Sequence, residues 1–174
     1  MGIKVAGWVV VTVAIVATIG CDRATKHAAT TMLSGQPDHS YLADTIRLGY
    51  VENSGGFLSV GASWPPAFRA LFFIVATGVM LLTLAVVAVR RRRDKWSGLG
   101  FALFLAGGAS NWVDRIDRGS VVDFLNIGVG PVRTGVFNVA DVAIMLGAAI
   151  FVLAEFRNPG ARQEGRGASW TTRT

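Results

Sequence analysis

Four long apolar runs organise this chain, and polar or glycine-punctuated stretches separate them. Val5 to Cys21 is uncharged, and Ala70 to Val89 is uncharged and strongly apolar. Trp96 to Val113 is uncharged but glycine-rich and contains Asn111, while Val136 to Ala154 is interrupted only by Asn138 and Asp141. A bilayer span needs about 20 apolar residues, with a range of roughly 17–25. The pattern therefore predicts four transmembrane helices. Between the first two runs the periodicity shortens. Ile46-Arg47-Leu48-Gly49-Tyr50-Val51 and Gly56-Phe57-Leu58-Ser59-Val60 read as short strands around a hairpin turn at Asn53-Ser54-Gly55. Ser120 to Leu125 offers another strand, followed by the turn Gly128-Val129-Gly130-Pro131, and Gly35-Gln36-Pro37-Asp38 marks an earlier turn. The fold class expected is a membrane protein, mainly α, with four transmembrane helices and a small external β platform. Residues 1–156 form one four-span domain with external loops at about 22–69 and 114–135; residues 157–174 are expected to be a disordered tail.

Composition agrees with the pattern. Of 174 residues, 52% are hydrophobic and 16% charged, against about 25% charged in soluble domains; mean hydropathy is +0.47. The net charge of +6 would suit a nucleic-acid binder, but its placement argues against one. Lys4, Arg90 to Arg93, Lys95, Arg157, Arg162, Arg166 and Arg173 flank the spans on one side. The positive-inside rule makes that side cytoplasmic, with both termini on it. The opposite loops balance seven basic against seven acidic residues. The basic excess thus marks orientation and contact with anionic lipid.

Lys4, an apolar core and Thr18-Ile19-Gly20-Cys21 resemble a signal peptide with a lipoprotein-type cleavage box, although Thr18 stands where Leu is usual. Removing this segment would leave three spans and put the termini on opposite sides, against the basic C-terminal end, so its retention is expected. A single Cys excludes an intrachain disulfide and a thiolate zinc cluster.

The chemistry sits at the outer ends of the spans. Asp22 and Lys26 are four apart and share a helix face. Asn53-Ser54-Gly55-Gly56 combines an amide with two glycines, which permit close backbone approach. Asn111, Asp114 and Arg115 follow an i, i+3, i+4 spacing after Gly107-Gly108; either Asp114 pairs with Arg115 or Arg118, or Asn111 and Asp114 together support a catalytic acid from behind. Asp123 lies between β-branched and aromatic residues, and Asp141 lies 18 residues later in an apolar run, one helical turn after Asn138. Counted from Val136, Asp141 would sit roughly 8 Å along its helix. A carboxylate in a membrane helix costs about 2.5–3.5 kcal/mol by insertion measurements and is a functional hypothesis by default. Two such acids at close range share a proton, so one can act as base on a water while the other polarises a carbonyl. His27 and His39 have no Cys nearby and no helical spacing for a metal; Gly-x-Ser-x-Gly, Ser-x-x-Lys and Walker A patterns are absent.

Taken in order, Asp22-x-x-x-Lys26, Asn53-x-Gly55, Gly107-Gly108-x-x-Asn111-x-x-Asp114-Arg115, Val121-Val122-Asp123-Phe124 and Phe137-Asn138-x-Ala140-Asp141 resemble the lipoprotein signal peptidases, the signal peptidase II family, from about residue 5 to 155. The resemblance implies an intramembrane aspartic protease that cuts prolipoproteins just before a diacylglyceryl-modified cysteine. It places the catalytic pair at Asp123 and Asp141. It makes Asn111, Asp114, Arg115 and Asn138 supporting residues, with Asn53, Gly55, Asp22 and Lys26 in accompanying motifs. Asp114 rivals Asp123 for the catalytic assignment, but its place beside Arg115 favours a paired structural acid. Departures are Arg23 where Gln is frequent, Gly56 for Ala and Val142 for Ser; none removes a catalytic group. No cofactor or metal is expected. The partners expected are diacylglyceryl prolipoproteins and membrane lipids, without nucleic acid. The protein is expected to be a monomer in the inner membrane, with its active site near the outer face. A competing class is a small transporter or assembly subunit using Asp141 as a proton or cation site; an inactive family member would be expected to lack one of the acids.

Overall fold

The computed structural model describes residues 2–55, 61, 63–90 and 95–157, the side chains of 2–6 and 90 excepted. It contains four long helices: α1 (Gly2–Met32), α2 (Pro66–Arg90), α3 (Lys95–Arg118) and α4 (Val139–Arg157). Each expected span matches one of them with shifted boundaries; α2 begins four residues before Ala70, and α3 runs five residues past Val113. α1 runs unbroken past Cys21 to Met32, so residues 22–32, expected in a loop, are helical and carry Asp22 and Lys26. α4 begins at Val139 and not at Val136, and it ends on Arg157, expected to open the tail. Pro66 occupies the first position of α2, where its missing N–H costs nothing. α3 is closed by the next residue, Gly119, whose φ of 73° provides the left-handed cap and whose N–H bonds Arg115 O at 3.0 Å.

Among the described residues, three helices are long and apolar enough to cross a membrane: residues 7–32, 66–89 and 139–157. α3 falls short of the four-span expectation on hydropathy. The physical reason is its position: it packs against α1, α2 and α4, and buries Ser97, Ser110, Asn111 and Asp114 on its inward faces. Without a strong hydrophobic drive between helices in lipid, close approach comes from small residues. A Cβ on Gly147 would lie 2.6 Å from Gly100 O, and one on Gly107 would collide with Ala140 O. α3 and α4 therefore touch backbone to backbone along their length.

The platform is a four-stranded antiparallel sheet, ordered β1 (His39–Tyr41), β2 (Ile46–Asn53), β3 (Val121–Val129) and β4 (Val132–Arg133). β3 continues four residues past the expected Leu125, so the turn shrinks to Gly130-Pro131. β1 was not legible in the sequence. The expected strand 56–60 lies outside the described residues; β2 pairs with β1 and β3. The β2–β3 register sets Val51 opposite Asp123 and Asn53 opposite Val121, with an irregularity between Leu48 and Val51. Phe137 extends this ladder by exchanging backbone hydrogen bonds of 2.9 Å with Leu125 in both directions. That exchange pins the chain two residues before α4 begins.

Candidate active site

Asn138 is the residue about which the site is built. It caps α4: its Oδ1 accepts from Asp141 N at 3.0 Å, while its own N–H donates to Asp141 Oδ2 at 3.1 Å. This is a capping box with Asn and Asp in the two roles. The other half of the amide turns to the platform, where Nδ2 donates to Asp123 Oδ1 at 2.7 Å. Asn138 is fully buried, and it joins both carboxylates within one side chain.

Each carboxylate holds two donors. Asp123, on β3 and 2% exposed, also accepts from Asn53 Nδ2 at 3.0 Å on Oδ2. Asp141, half-buried in the first turn of α4, also accepts from Asn111 Nδ2 at 2.8 Å on Oδ1. Its depth differs from the expected 8 Å. α4 starts three residues later, so Asp141 sits about 3 Å along the helix, in the first turn, where the helix dipole is positive. Burial raises the Asp123 carboxyl from 3.8 to about 6, and the charge of Asp141 adds to the rise; Asn53 and Asn138 oppose it through their hydrogen bonds. A carboxyl that is buried, donor-held and titrating near neutrality is what general acid–base catalysis needs.

Behind the pair lies a buried ionic network. Lys26 Nζ contacts Asn111 Oδ1, Asp22 Oδ2 and Asp114 Oδ2, each at 2.7 Å. Asp22 also accepts from Ser110 Oγ at 2.6 Å and from the backbone N–H of Ala140 at 2.9 Å, so it satisfies a second donor at the start of α4. Asp114 does not pair with Arg115 or Arg118 as expected. Its partner is Arg23, at 2.6 Å, and Arg23 also donates to Ser110 O at 2.8 Å. Adjacent helical residues point about 100° apart, which turns Arg115 away from Asp114. Arg115 instead donates to Gly55 O at 2.9 Å and lies 5.7 Å above the ring of Phe73. Gly55 N–H in turn bonds Asn53 Oδ1 at 3.1 Å, which fixes the amide that holds Asp123.

All ten expected site residues converge, in two groups. Asn53, Gly55, Asn111, Arg115 and Asn138 gather around Asp123 and Asp141; Asp22, Lys26 and Asp114 brace them from behind. Sequence reasoning gave Arg23 no structural role and passed over Ser110 and Phe73. Arg23 stands next to Asp22 and carries a charge at a span boundary, which was the available signal. Among the described residues, no group of three or more His, Cys, Asp or Glu is placed to hold a metal ion.

The chain matches a family model described as signal peptidase (SPase) II over residues 14–157. It is 33% identical over 135 residues to a lipoprotein signal peptidase of Desulforapulum autotrophicum, covering 77% of this chain and 83% of that one. A lipoprotein signal peptidase of Leifsonia xyli is 34% identical over 161 residues, covering 85% of this chain and 69% of its own. In fold, a bacterial membrane enzyme solved by the in meso method at 2.3 Å superposes with a TM-score of 0.73 at 20% identity, covering 95% of this chain and 94% of its own. With a family match across most of its length, this chain belongs to the signal peptidase II family.

Proposed function

We propose that this protein removes signal peptides from diacylglyceryl-modified prolipoproteins, cutting just before the lipidated cysteine, with Asp123 and Asp141 as the catalytic pair. The observation that carries the assignment is the double grip of Asn138 on both carboxylates. One carboxylate removes a proton from water as its oxygen attacks the scissile carbonyl. The other, protonated, polarises that carbonyl oxygen. Collapse of the tetrahedral intermediate breaks the C–N bond as the carboxyl that took the water's proton passes it to the leaving amine, which returns the pair to its one-proton state. Asp114, ion-paired to both Arg23 and Lys26, has the surroundings of a structural acid.

α3 is the fourth span, its polar faces shielded by the other three helices. The termini lie in the cytoplasm, and the site lies where α4 starts and α1 and α3 end, at the outer face. The enzyme works as a monomer, with lipid against its exposed apolar helix faces. Sidedness also separates this reading from transport. Toward the other end of the bundle, Leu84, Phe101, Phe104, Ala148, Phe151 and Val152 line an apolar cavity of about 150 Å³.

The test is a gel-shift assay with purified protein and a diacylglyceryl prolipoprotein. Wild type should cut, Asp123→Asn and Asp141→Asn should not, and Asp114→Asn should cut more slowly. A folded wild type that cuts nothing moves transport ahead. Turnover by Asp123→Asn beside a dead Asp114→Asn would reassign the acid.

A further inference from the structure

We propose that Lys26 is a positioning residue for the aspartate pair and acts through Asn111; the proposal rests on the peptidase reading of the same site. An ammonium group has three N–H donors and no acceptor. Those of Lys26 meet three acceptors at 2.7 Å: Asp22 Oδ2, Asp114 Oδ2 and Asn111 Oδ1. The first two contacts neutralise the cation. The third does something else: it fixes which way the Asn111 amide faces.

With Oδ1 held by Lys26, and also accepting from Asn138 Nδ2 at 3.2 Å, the amino end of Asn111 has one direction left. It points at Asp141 Oδ1, 2.8 Å away. A flipped amide would set its NH₂ against the ammonium and its oxygen against a carboxylate, two repulsive contacts in a buried site. Lys26 is only 4% exposed, so water does not compete for these bonds. A lysine serving stability alone would be satisfied by Asp22 and Asp114. The donor spent on Asn111 is the one that reaches toward the reacting groups.

The charges around Lys26 come from every element that packs on α1. Asp22 and Arg23 lie on α1 itself, Asp114 and Arg115 on α3, Asp123 on β3 and Asp141 on α4. β2 contributes Glu52, which bonds Tyr50 at 2.7 Å and Ser120 at 3.5 Å instead. Asp22 and Asp114 are balanced by Lys26 and Arg23, so the network behind the pair is neutral. Deleting the Lys26 charge leaves an uncompensated anion beside Asp123 and Asp141. A pair that works with one acid protonated and the other ionised has a bell-shaped pH–rate profile, and the added negative charge moves that bell in the alkaline direction.

The experiment compares Lys26→Met, Asn111→Ala and the double variant with wild type, using a synthetic diacylglyceryl-cysteine peptide across pH. Removing a hydrogen bond to a charged group predicts a kcat for Lys26→Met about 10- to 100-fold lower. KM should stay within about 3-fold and the bell should shift alkaline. Because the lysine acts through the amide, Lys26→Met should cost less than about 3-fold further in the Asn111→Ala background. The same comparison in an Asp22→Asn/Asp114→Asn background, where Met leaves no buried anion, separates positioning from folding. Additive losses, or a folded Lys26→Met with the wild-type kcat and bell, would overturn the proposal. Failure of wild type to cut the peptide would instead sink the peptidase reading.

Discussion

Asn138 and Asp141 exchange hydrogen bonds of 3.0 and 3.1 Å across the first turn of α4, so the cap of that helix and the candidate active site are one structure. The arrangement leaves the Asn138 amide a single useful orientation, oxygen toward the helix and nitrogen toward Asp123. Stability and chemistry can therefore be pulled apart with one substitution.

Asn138→Asp keeps an acceptor for Asp141 N but puts a third carboxylate where Asp123 needs a donor. Helix capping is worth about 1 kcal/mol, and this variant retains it. The melting temperature in detergent should fall by only a few degrees, while turnover drops at least about 100-fold. Asn138→Ala should lose both. Asp variants that cut at the wild-type rate would show that Asp123 needs no donor from this position.

Burial raises Asp123 from 3.8 to about 6, with the charge of Asp141 adding to the rise. Between those values the folded protein holds a proton that the unfolded chain releases. The stability contribution is therefore complete below pH 4 and lost as pH rises to about 6, on the order of 3 kcal/mol. Melting temperature should decline across that window in wild type and show a weaker decline in Asp123→Asn. Equal slopes in the two proteins would mean that other carboxyls govern the window.

Gly107 and Gly147 face α4 and α3 at opposite ends of the same contact. A Cβ on Gly107 would collide with Ala140 O, beside Asp141, and one on Gly147 would lie 2.6 Å from Gly100 O. Overpacking of this kind costs about 1–3 kcal/mol, so both Ala variants should melt lower. Only Gly107→Ala should also reduce kcat of the folded fraction, by about 10-fold or more, because it displaces the start of α4. A matching kcat loss in Gly147→Ala would show that the whole helix shifts as a unit.

Arg23 and Asp114 form an ion pair of unequal burial, with side-chain exposures of 37% and 2%. Arg23→Gln removes a half-solvated partner and should cost about 1 kcal/mol. Asp114→Asn strips an anion from two cations at once and should cost about 3 kcal/mol. Thermal melts of both variants in detergent give the ranking directly; the reverse order would place the weight of the pair on Arg23.

The sequence by itself determined what depends on neighbours along the chain. Apolar runs of span length set four helices, and the i, i+4 spacing set the Asp22–Lys26 pair, found at 2.7 Å. The three-residue step from Asn138 to Asp141 placed both on one face. The ordered motifs, set at the ends of four spans, carried the family resemblance. Tertiary structure decided what depends on contacts remote in sequence. Asp114 found Arg23, 91 residues away, in place of its neighbour Arg115. Ala140 N found Asp22 across 118 residues, and Asn53 reached Asp123 only because β2 and β3 pair in their particular register. α3 shows the limit most clearly. A helix with Ser97, Ser110, Asn111 and Asp114 on it looks weakly apolar as a sequence, and its centrality becomes visible only when three other helices enclose it. Periodicity records which residues share a face of one element. Which faces meet is fixed by the glycine contacts that let the backbones touch, and those distances are not written in local order.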